Sequence, residues 1–226
     1  MLEQILPPEV VVVETGHDEP GGLLFPEEEA VIVRAAPKRR REFTAGRACA
    51  RRALARLGVP PAPLLPGERG APRWPDGTTG SITHCPGYRA AAVARTGDVA
   101  ALGVDAEPNE AVPDGVLGVI ASDGERTRIG GLGATGAPVS WDRLLFSAKE
   151  SVYKAWFPLA RRWLGFDQAD ITVALDGTFT ARLLVPGPLV AGSVLTVLHG
   201  RWAADQGLVA TAVVIPARPA AGGRTG

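Results

Sequence analysis

The stretch VAALGVDAEP, residues 99–108, predicts a buried strand that ends in two acidic side chains. It begins with six consecutive apolar residues or glycines, a run typical of a strand enclosed in a core. Asp105 and Glu107 are two residues apart, and alternate residues of a strand point to the same side of the sheet. Both carboxylates are therefore expected to lie together at the end of a rigid element, although two solvated acids before a turn would fit the same pattern.

Helices and strands are predicted in a similar order on both sides of this strand. Before it, the spacing of apolar residues predicts a helix over 40–57, and after it a second long helix over 141–157. The other predicted elements are a helix that begins at Pro26 and strands at 10–14, 81–85, 89–94, 171–175, 179–185, 194–198 and 208–215. Tight turns such as Asp176-Gly177 favour an antiparallel meander in the second half.

The repeated order predicts an α+β fold, built as a pseudo-two-fold pair of similar halves. We place these halves at residues 1–100 and 101–216, followed by a disordered tail at 217–226. Residues 108–139 are rich in Gly, Pro and Asp, which favours an irregular connection with one short helix near 116–120.

Composition and charge argue against several classes of protein. The chain carries 24 basic and 24 acidic residues, so its formal net charge is +0 and nothing global favours nucleic acid or a membrane surface. No apolar run reaches the roughly 18 residues that a membrane span needs, and the N-terminus lacks the early basic residues of a secretory signal. Because it has only two cysteines, we expect a cytoplasmic protein with reduced thiols.

The predicted helix at 141–157 carries charged side chains among large apolar ones. Glu150 and Lys154 are four residues apart and therefore neighbours on the helix surface, whereas Lys149 shares the face of Leu145 and Val152. An ordinary surface ion pair is one interpretation, worth only a few tenths of a kcal/mol. The surrounding aromatic residues favour a half-buried helix whose charges need partners, and a metal ion with a polyphosphate would supply them.

Two further stretches carry groups that bind anions. Residues 37–54, PKRRREFTAGRACARRAL, contain six arginines, of which Arg47 borders the apolar stripe and could clamp a phosphate in a cleft. A solvated basic face or a nucleic-acid patch is the alternative, and the zero net charge disfavours the latter. In SITHCPG, residues 81–87, His84 lies at a strand end, where a structural role and a phosphate contact are both open.

The order of these motifs resembles that of the surfactin-type 4′-phosphopantetheinyl transferases. The matching pieces are the basic helix, RGAPRWP at 69–75, SITH at 81–84, GVDAE at 103–107 and FSAKESVYK at 146–154. The continuations YKAWFPL and RWLGF are similar to the enterobactin-type and mycobacterial branch, and the resemblance runs from about residue 38 to 215. It implies a monomer of two similar α+β halves, with coenzyme A in the cleft between them. The implied reaction transfers the 4′-phosphopantetheine group to a serine of an apo acyl or peptidyl carrier protein and releases adenosine 3′,5′-bisphosphate.

The resemblance also implies roles for individual residues. Mg²⁺, with Mn²⁺ as an alternative, would be bound by Asp105, Glu107 and Glu150. Glu150 and Lys154 would be catalytic, with Glu150 taking the proton of the carrier serine directly or through a water. Contacts to coenzyme A would come from Arg39, Arg47, Arg69, Thr83, His84, Lys149 and Lys154. Pro66 stands where some relatives carry a lysine, so contacts to the adenine, including that of Arg69, are expected to differ.

A landing patch for the carrier protein is expected in the connection after the acidic strand. It would consist of Arg126 and Arg128 with Val116, Leu117, Val119 and Ile120, although these apolar residues could equally pack on their own domain. Three rival interpretations are a short trimeric acyl-carrier synthase, a Mg²⁺-dependent phosphohydrolase and a non-catalytic coenzyme A or nucleotide sensor. The chain length, the joined motifs and the intact acidic triad favour the transferase, whose carrier could belong to a fatty-acid, polyketide or peptide-siderophore pathway.

Overall fold

The structure, a computed structural model, describes residues 1–16 and 23–218 of the chain. Its α-helices are α1 (Pro26–Ile32), α2 (Pro37–Arg56), α3 (Val116–Ile120), α4 (Asp123–Gly133) and α5 (Trp141–Ala160). Its first strands are β1 (Val11–Thr15), β2 (Thr78–Cys85), β3 (Tyr88–Arg95), β4 (Val99–Pro108) and β5 (Ala169–Val173). The remaining strands are β6 (Thr178–Leu183), β7 (Leu189–Val190), β8 (Ser193–Val194), β9 (Val197–Asp205) and β10 (Leu208–Pro216).

Two antiparallel sheets divide the described part of the chain into two similar halves. The first has the order β1-β3-β2 and carries α2, while the second has the order β4-β10-β9-β6-β5 and carries α5. In both halves a strand that precedes the long helix pairs with a strand that follows it, so β1-β3-β2 corresponds to β4-β10-β9. The predicted α+β pair and the meander β5-β6-β9-β10 are confirmed, and β7 and β8 form a separate small ribbon.

The predicted division at residues 100 and 101 falls inside β4 and stays a prediction. Of the predicted tail at 217–226, only Ala217 and Arg218 lie in the described part of the chain, and Ala217 donates its backbone N–H to the carbonyl of Asp98 at 2.9 Å. No helix of residues 1–16 or 23–218 is long and apolar enough to span a bilayer.

The prediction of an irregular connection over 108–139 is wrong, because α4 forms within it. Ser122 caps this helix: its hydroxyl accepts from the backbone N–H of Glu125 at 3.2 Å, and the Glu125 carboxylate accepts from the backbone N–H of Ser122 at 2.8 Å. This reciprocal capping box has the sequence signature Ser-x-x-Glu. The signal was therefore present in the sequence, but the four glycines of α4 obscured it. The predicted helix near 116–120 is confirmed as α3.

The strand predicted at 194–198 is also misplaced. No single strand covers these residues: β8 ends at Val194, and β9 begins at Val197 and extends to Asp205. Gly200 lies in β9 because the ring of Phe179 on β6 occupies the space of a side chain; a Cβ at Gly200 would lie 2.0 Å from that ring. Gly200 and the polar residues around it gave no apolar alternation from which the strand could be predicted.

The two sheets meet at the edges of β2 and β4, and side-chain hydroxyls join them. The Ser81 hydroxyl accepts from the backbone N–H of Val104 at 3.1 Å, and the Thr83 hydroxyl accepts from that of Ala106 at 3.0 Å. Because buried backbone N–H groups must be hydrogen-bonded, these hydroxyls take the place of a backbone ladder between the halves. The acidic end of β4 is thereby fixed at the joint.

Candidate active site at the joint between the halves

Asp105 is the most buried acidic side chain at this joint, with 4% of its surface exposed. Its Oδ1 atom accepts hydrogen bonds from Lys154 Nζ at 2.7 Å and from the Thr83 hydroxyl at 3.3 Å. Its Oδ2 atom is buried and has no hydrogen-bond partner among the described residues. A buried oxygen of this kind is costly unless something satisfies it. Asp105 is therefore a candidate for binding a ligand or an ion.

Two more carboxylates share the region of Asp105. The pKa of Glu107 is raised, first by burial and then by the charge of Asp105, although Arg143 at 3.2 Å opposes the shift. The pKa of Glu150 is also raised, first by burial, with Lys154 lowering it and Asp105 raising it. The predicted strand geometry is confirmed, since Asp105 and Glu107 lie two positions apart in β4 and therefore on the same face. Arg143, in the first turn of α5, is not among the predicted site residues.

The donor set of this region fits a hard cation. Carboxylate oxygens are the ligands that Mg²⁺ and Mn²⁺ prefer, and the buried, unpartnered Oδ2 atom of Asp105 is one such ligand. As the side chains stand, however, no three Asp, Glu, His or Cys residues within 1–16 and 23–218 are placed to hold a metal ion. Lys154 and Arg143 hold two of the carboxylates instead. The three-ligand site of Asp105, Glu107 and Glu150 stays a prediction.

Arg47 belongs to a group of basic side chains on the first half. We call this group, which consists of Arg39, Arg47 and His84, the basic wall. It is 6% exposed, its Nε donates to the carbonyl of Leu64 at 3.1 Å, and its guanidinium lies 4.0 Å from the ring centre of Phe43. Burial lowers its pKa to about 10; the charge of Glu28 opposes this shift, and the charges of Arg39 and Arg51 add to it. An anion beside Arg47 would relieve both effects, so the prediction that Arg47 borders the core and faces a phosphate is compatible with this placement.

His84 and Thr83 carry this basic wall toward the acidic strand. Arg39 Nη1 lies 3.2 Å from His84 Nε2, and Glu42 lies 3.8 Å from His84 Nδ1. Burial lowers the pKa of His84, Glu42 raises it, and Arg39 and Lys154 lower it further. A neutral imidazole can accept the Arg39 N–H at Nε2. The residue next to His84, Thr83, bonds to Asp105, so these predicted residues from the two halves come together.

Arg69 crosses from the first half to the second. It adopts a left-handed backbone conformation with φ of 53° and lies 5.5 Å from the ring centre of Trp163. The Tyr153 ring packs against the same indole at an angle of 55°, with ring centres 4.8 Å apart, and its buried hydroxyl has no partner among the described residues. Together with Glu150 and Phe166, these aromatic residues line a small pocket. Arg69 therefore lies at this pocket.

Lys149 lines the same pocket, but its ammonium points elsewhere. It is 4% exposed and donates to Glu125 at 3.0 Å, to the Phe166 carbonyl at 2.5 Å and to the Ala169 carbonyl at 3.1 Å. An ammonium has three N–H donors, and all three are used. This geometry does not support a contact of the Lys149 ammonium with the pyrophosphate, because the buried Glu125 of the unpredicted helix α4 holds it. The alternative contact, with the pantetheine arm, stays a prediction. A similar pair, Glu28 with Arg51 at 2.9 Å, occupies the first half.

We therefore expect Lys149→Met to cost about 3–5 kcal/mol of unfolding free energy, because it leaves the Glu125 carboxylate buried without its cation. Chemical denaturation measures this loss, and the double variant Glu125→Gln with Lys149→Met should recover part of it. The control is Lys38→Met, whose side chain is 76% exposed. If Lys149→Met had normal stability but weakened coenzyme A binding, Lys149 would be a substrate contact after all.

The predicted landing patch is only partly available at the surface. Val119 is 77% exposed, but Ile120 is 3% exposed and packs in the core of the second half. Arg128 is bound to Asp170 at 2.7 Å, and Arg126 pairs with Asp123 on its own helix. For Ile120 the alternative of packing on its own domain is confirmed, while the landing role of the others stays a prediction.

An α+β protein of two similar halves, with acidic and cationic side chains converging at their joint, has the architecture of an enzyme that handles a phosphate-bearing substrate. Comparison with known proteins identifies the family. The 4′-phosphopantetheinyl transferase N-terminal domain matches residues 27–94, and the 4′-phosphopantetheinyl transferase superfamily model matches residues 101–208. The chain belongs to this superfamily.

Named relatives support the same assignment. The chain is 60% identical over 201 residues to the 4′-phosphopantetheinyl transferase Svp of Streptomyces mobaraensis, covering 88% of this chain and 82% of that protein. It is 48% identical over 212 residues to PptT of Mycobacterium tuberculosis, covering 92% of each. It is 37% identical over 156 residues to enterobactin synthase component D of Salmonella typhi, covering 67% of this chain and 62% of that protein. The predicted family, fold class and transferase activity toward carrier proteins are confirmed.

Proposed function

We propose that the protein takes 4′-phosphopantetheine from coenzyme A at the joint between its halves and releases adenosine 3′,5′-bisphosphate. The observation that carries this proposal is the convergence at Asp105. One oxygen of its carboxylate is buried and unpartnered, and the other accepts from Lys154 of the second half and Thr83 of the first. His84 follows Thr83 on the basic wall. A pyrophosphate at this point would be reached by cationic groups from both halves.

The nucleotide end of coenzyme A fits the basic wall. Arg39, Arg47 and His84 would hold the 3′-phosphate, because Arg39 and His84 are in contact and an anion would offset the cost of burying the Arg47 charge. Charge-assisted hydrogen bonds from arginine to phosphate are among the strongest available to a binding site. The predicted adenine contact of Arg69 is not part of this proposal, because Arg69 contacts Trp163 at the pocket that we assign to the pantetheine arm.

The pyrophosphate end would face Lys154 and the three carboxylates. A divalent cation, Mg²⁺ or Mn²⁺, held by Asp105, Glu107 and Glu150 would neutralise charge on the phosphates. Lys154 would turn its ammonium from Asp105 to a phosphate oxygen, which frees Asp105 Oδ1. The small pocket of Tyr153 and Trp163 would receive the pantetheine arm, whose amide groups could satisfy the unpartnered Tyr153 hydroxyl.

Glu150 is the candidate base for the carrier serine. Burial raises the pKa of this carboxylate in the metal-free protein, and with the cation bound it would take the serine proton directly or through a water. It lies on α5 next to the proposed phosphate site, so a serine hydroxyl entering there would attack the β-phosphate as Glu150 takes its proton. We further propose a cytoplasmic monomer acting on acyl or peptidyl carriers, and the likeness to an enterobactin synthase component favours a peptide-siderophore carrier among them.

The test is intact-mass spectrometry of an apo carrier protein after incubation with the enzyme, coenzyme A and Mg²⁺, with a matched sample in EDTA. A mass gain of one phosphopantetheine group, absent in EDTA, is the expected result. No gain on apo carriers from fatty-acid, polyketide and peptide pathways would contradict the proposal. Coenzyme A binding without turnover would then favour a sensor, and release of phosphate from nucleotides would favour a hydrolase.

Arg47→Ala should raise the Michaelis constant for coenzyme A about tenfold while leaving that for dephospho-coenzyme A nearly unchanged, because one charge-assisted contact to the 3′-phosphate is lost. Steady-state kinetics with both donors measures the ratio. Arg34→Ala, at an exposed position outside the basic wall, is the matched control. Equal changes for both donors would remove Arg47 from the 3′-phosphate site.

A further inference from the structure

Two buried hydroxyl groups connect α5 to β10 beneath the proposed active site. Ser147 and Thr211 are both 0% exposed, and their hydroxyl oxygens are 2.9 Å apart. The Thr211 hydroxyl also donates to the backbone carbonyl of Ser147 at 2.9 Å. These are polar groups in an otherwise apolar interface between a helix and a sheet. We call them the hydroxyl pair.

The hydroxyl pair lies between the elements that carry the proposed metal ligands. Thr211 is directly opposite Asp105 in the β4–β10 ladder, and directly opposite residues point to the same face of a sheet. Ser147 precedes Glu150 by three residues, less than one turn of α5. The pair therefore links β10 to α5. β10 is the neighbour of the strand that carries Asp105, and α5 is the helix that carries Glu150.

Gly103 brings α5 unusually close to β4 at the same level. A Cβ at this position would lie 2.0 Å from the carbonyl oxygen of Ser151 and 2.7 Å from the backbone nitrogen of Ala155. Both atoms belong to the backbone of α5, so the helix rests directly on the strand. Gly103 sets how closely the helix approaches.

A close apolar contact does not by itself fix the helix along or around its axis. Apolar interfaces tolerate repacking, whereas a buried polar pair is satisfied in only one arrangement. In the present arrangement both hydroxyls are bonded. A slide or rotation of α5 would take both partners of the buried Thr211 hydroxyl away, at a cost of about 1–3 kcal/mol. The hydroxyl pair therefore favours one position of α5.

We propose that Thr211 and Ser147 are positioning residues that set the separation of the Asp105 and Glu150 carboxylates, and through it the affinity of the enzyme for its divalent cation. This inference rests on the proposed function, because it assigns the cation to these carboxylates. It predicts that loss of one hydroxyl weakens metal binding while the basic wall, which lies on the other half, still binds the nucleotide.

The test compares Thr211→Val, which keeps the shape and removes the hydroxyl, with the wild-type enzyme. Mn²⁺ binding to the enzyme saturated with coenzyme A is measured by electron paramagnetic resonance of the free ion. We expect about tenfold weaker Mn²⁺ binding, as is typical when a group that orients a metal ligand is removed. Coenzyme A affinity, measured by calorimetry in EDTA, should be unchanged, and Thr211→Ser should restore Mn²⁺ binding.

The matched control is Ser151→Ala. Ser151 is also 0% exposed on α5, but its hydroxyl bonds to the carbonyl of Ala148 within the same helix at 2.9 Å. Its removal should lower stability without changing Mn²⁺ binding. Equal Mn²⁺ affinity of wild-type and Thr211→Val protein would overturn the positioning role, as would a parallel loss of coenzyme A affinity in EDTA. A wild-type enzyme that binds no Mn²⁺ beyond that bound by coenzyme A would overturn the metal assignment of the proposed function, and this inference with it.

Discussion

Asp105→Asn should lower the rate of phosphopantetheine transfer by at least about a thousandfold and leave the protein folded. The substitution removes a charge from the centre of the joint, where the Oδ2 atom is buried without a partner. An amide is a far weaker ligand for Mg²⁺ than a carboxylate, and its NH₂ group would stand where the cation is proposed to bind. The mass gain of an apo carrier protein over time measures the loss.

The fold should survive this substitution because asparagine has nearly the same shape as aspartate. Its carbonyl oxygen can still accept from Lys154 and from the Thr83 hydroxyl, as Asp105 Oδ1 does at 2.7 and 3.3 Å. Asp98→Asn is the matched control, since this exposed residue lies just before the start of β4. A folded Asp105→Asn enzyme with more than a tenth of the wild-type rate would exclude Asp105 from the proposed metal site.

The acidic strand could be predicted because its information is local. Alternation along residues 99–108 places Asp105 and Glu107 on one face, and the structure has this strand as β4, Val99–Pro108. The helical stripe of α2 likewise placed Arg47 at the border of the core, where it is buried. In both cases the period of one element was enough, and no contact with a distant residue was needed.

The two lysines of α5 show what sequence periodicity cannot supply. Lys149 and Lys154 are basic residues of the same helix, and both were predicted to contact coenzyme A. Their difference depends on distant partners: Lys149 meets Glu125, 24 residues away, and Lys154 meets Asp105, 49 residues away. Because α4 was not predicted, its residue Glu125 could not be recognised from the sequence as a buried partner of Lys149.

The contact between Ser147 and Thr211 was missed for a related reason. Small hydroxyl residues occur throughout the chain, and these two are 64 positions apart. Their pairing follows from the register of β4 against β10 and from the close approach that Gly103 permits, neither of which the pattern of one element contains. The carboxylates proposed to bind the cation could therefore be named from the sequence, while the hydroxyl pair proposed to position them required the fold.

Glu150→Gln should abolish transfer and at the same time stabilise the metal-free protein at neutral pH. Burial raises the pKa of Glu150, so the folded state binds this proton more tightly than the unfolded chain does. Ionisation of Glu150 therefore costs more free energy in the folded protein than in the unfolded chain. Its cost appears as the pH rises through the ordinary glutamate value of about 4.3 and is complete above the raised folded-state pKa. Glutamine has the same shape without that cost.

Unfolding free energies of wild-type and Glu150→Gln protein, measured in EDTA by chemical denaturation, should therefore differ at pH 7 and converge as the pH falls below about 4. The exposed Glu110, near the end of β4, provides the control Glu110→Gln, for which no difference is expected. Lys154 opposes the effect of burial, because its charge lowers the pKa of Glu150. A glutamine variant less stable than wild type at pH 7 would mean that attraction to Lys154 outweighs burial. If the variant is instead more stable but inactive, the folded enzyme keeps an unfavourably buried charge at this position because the reaction needs it.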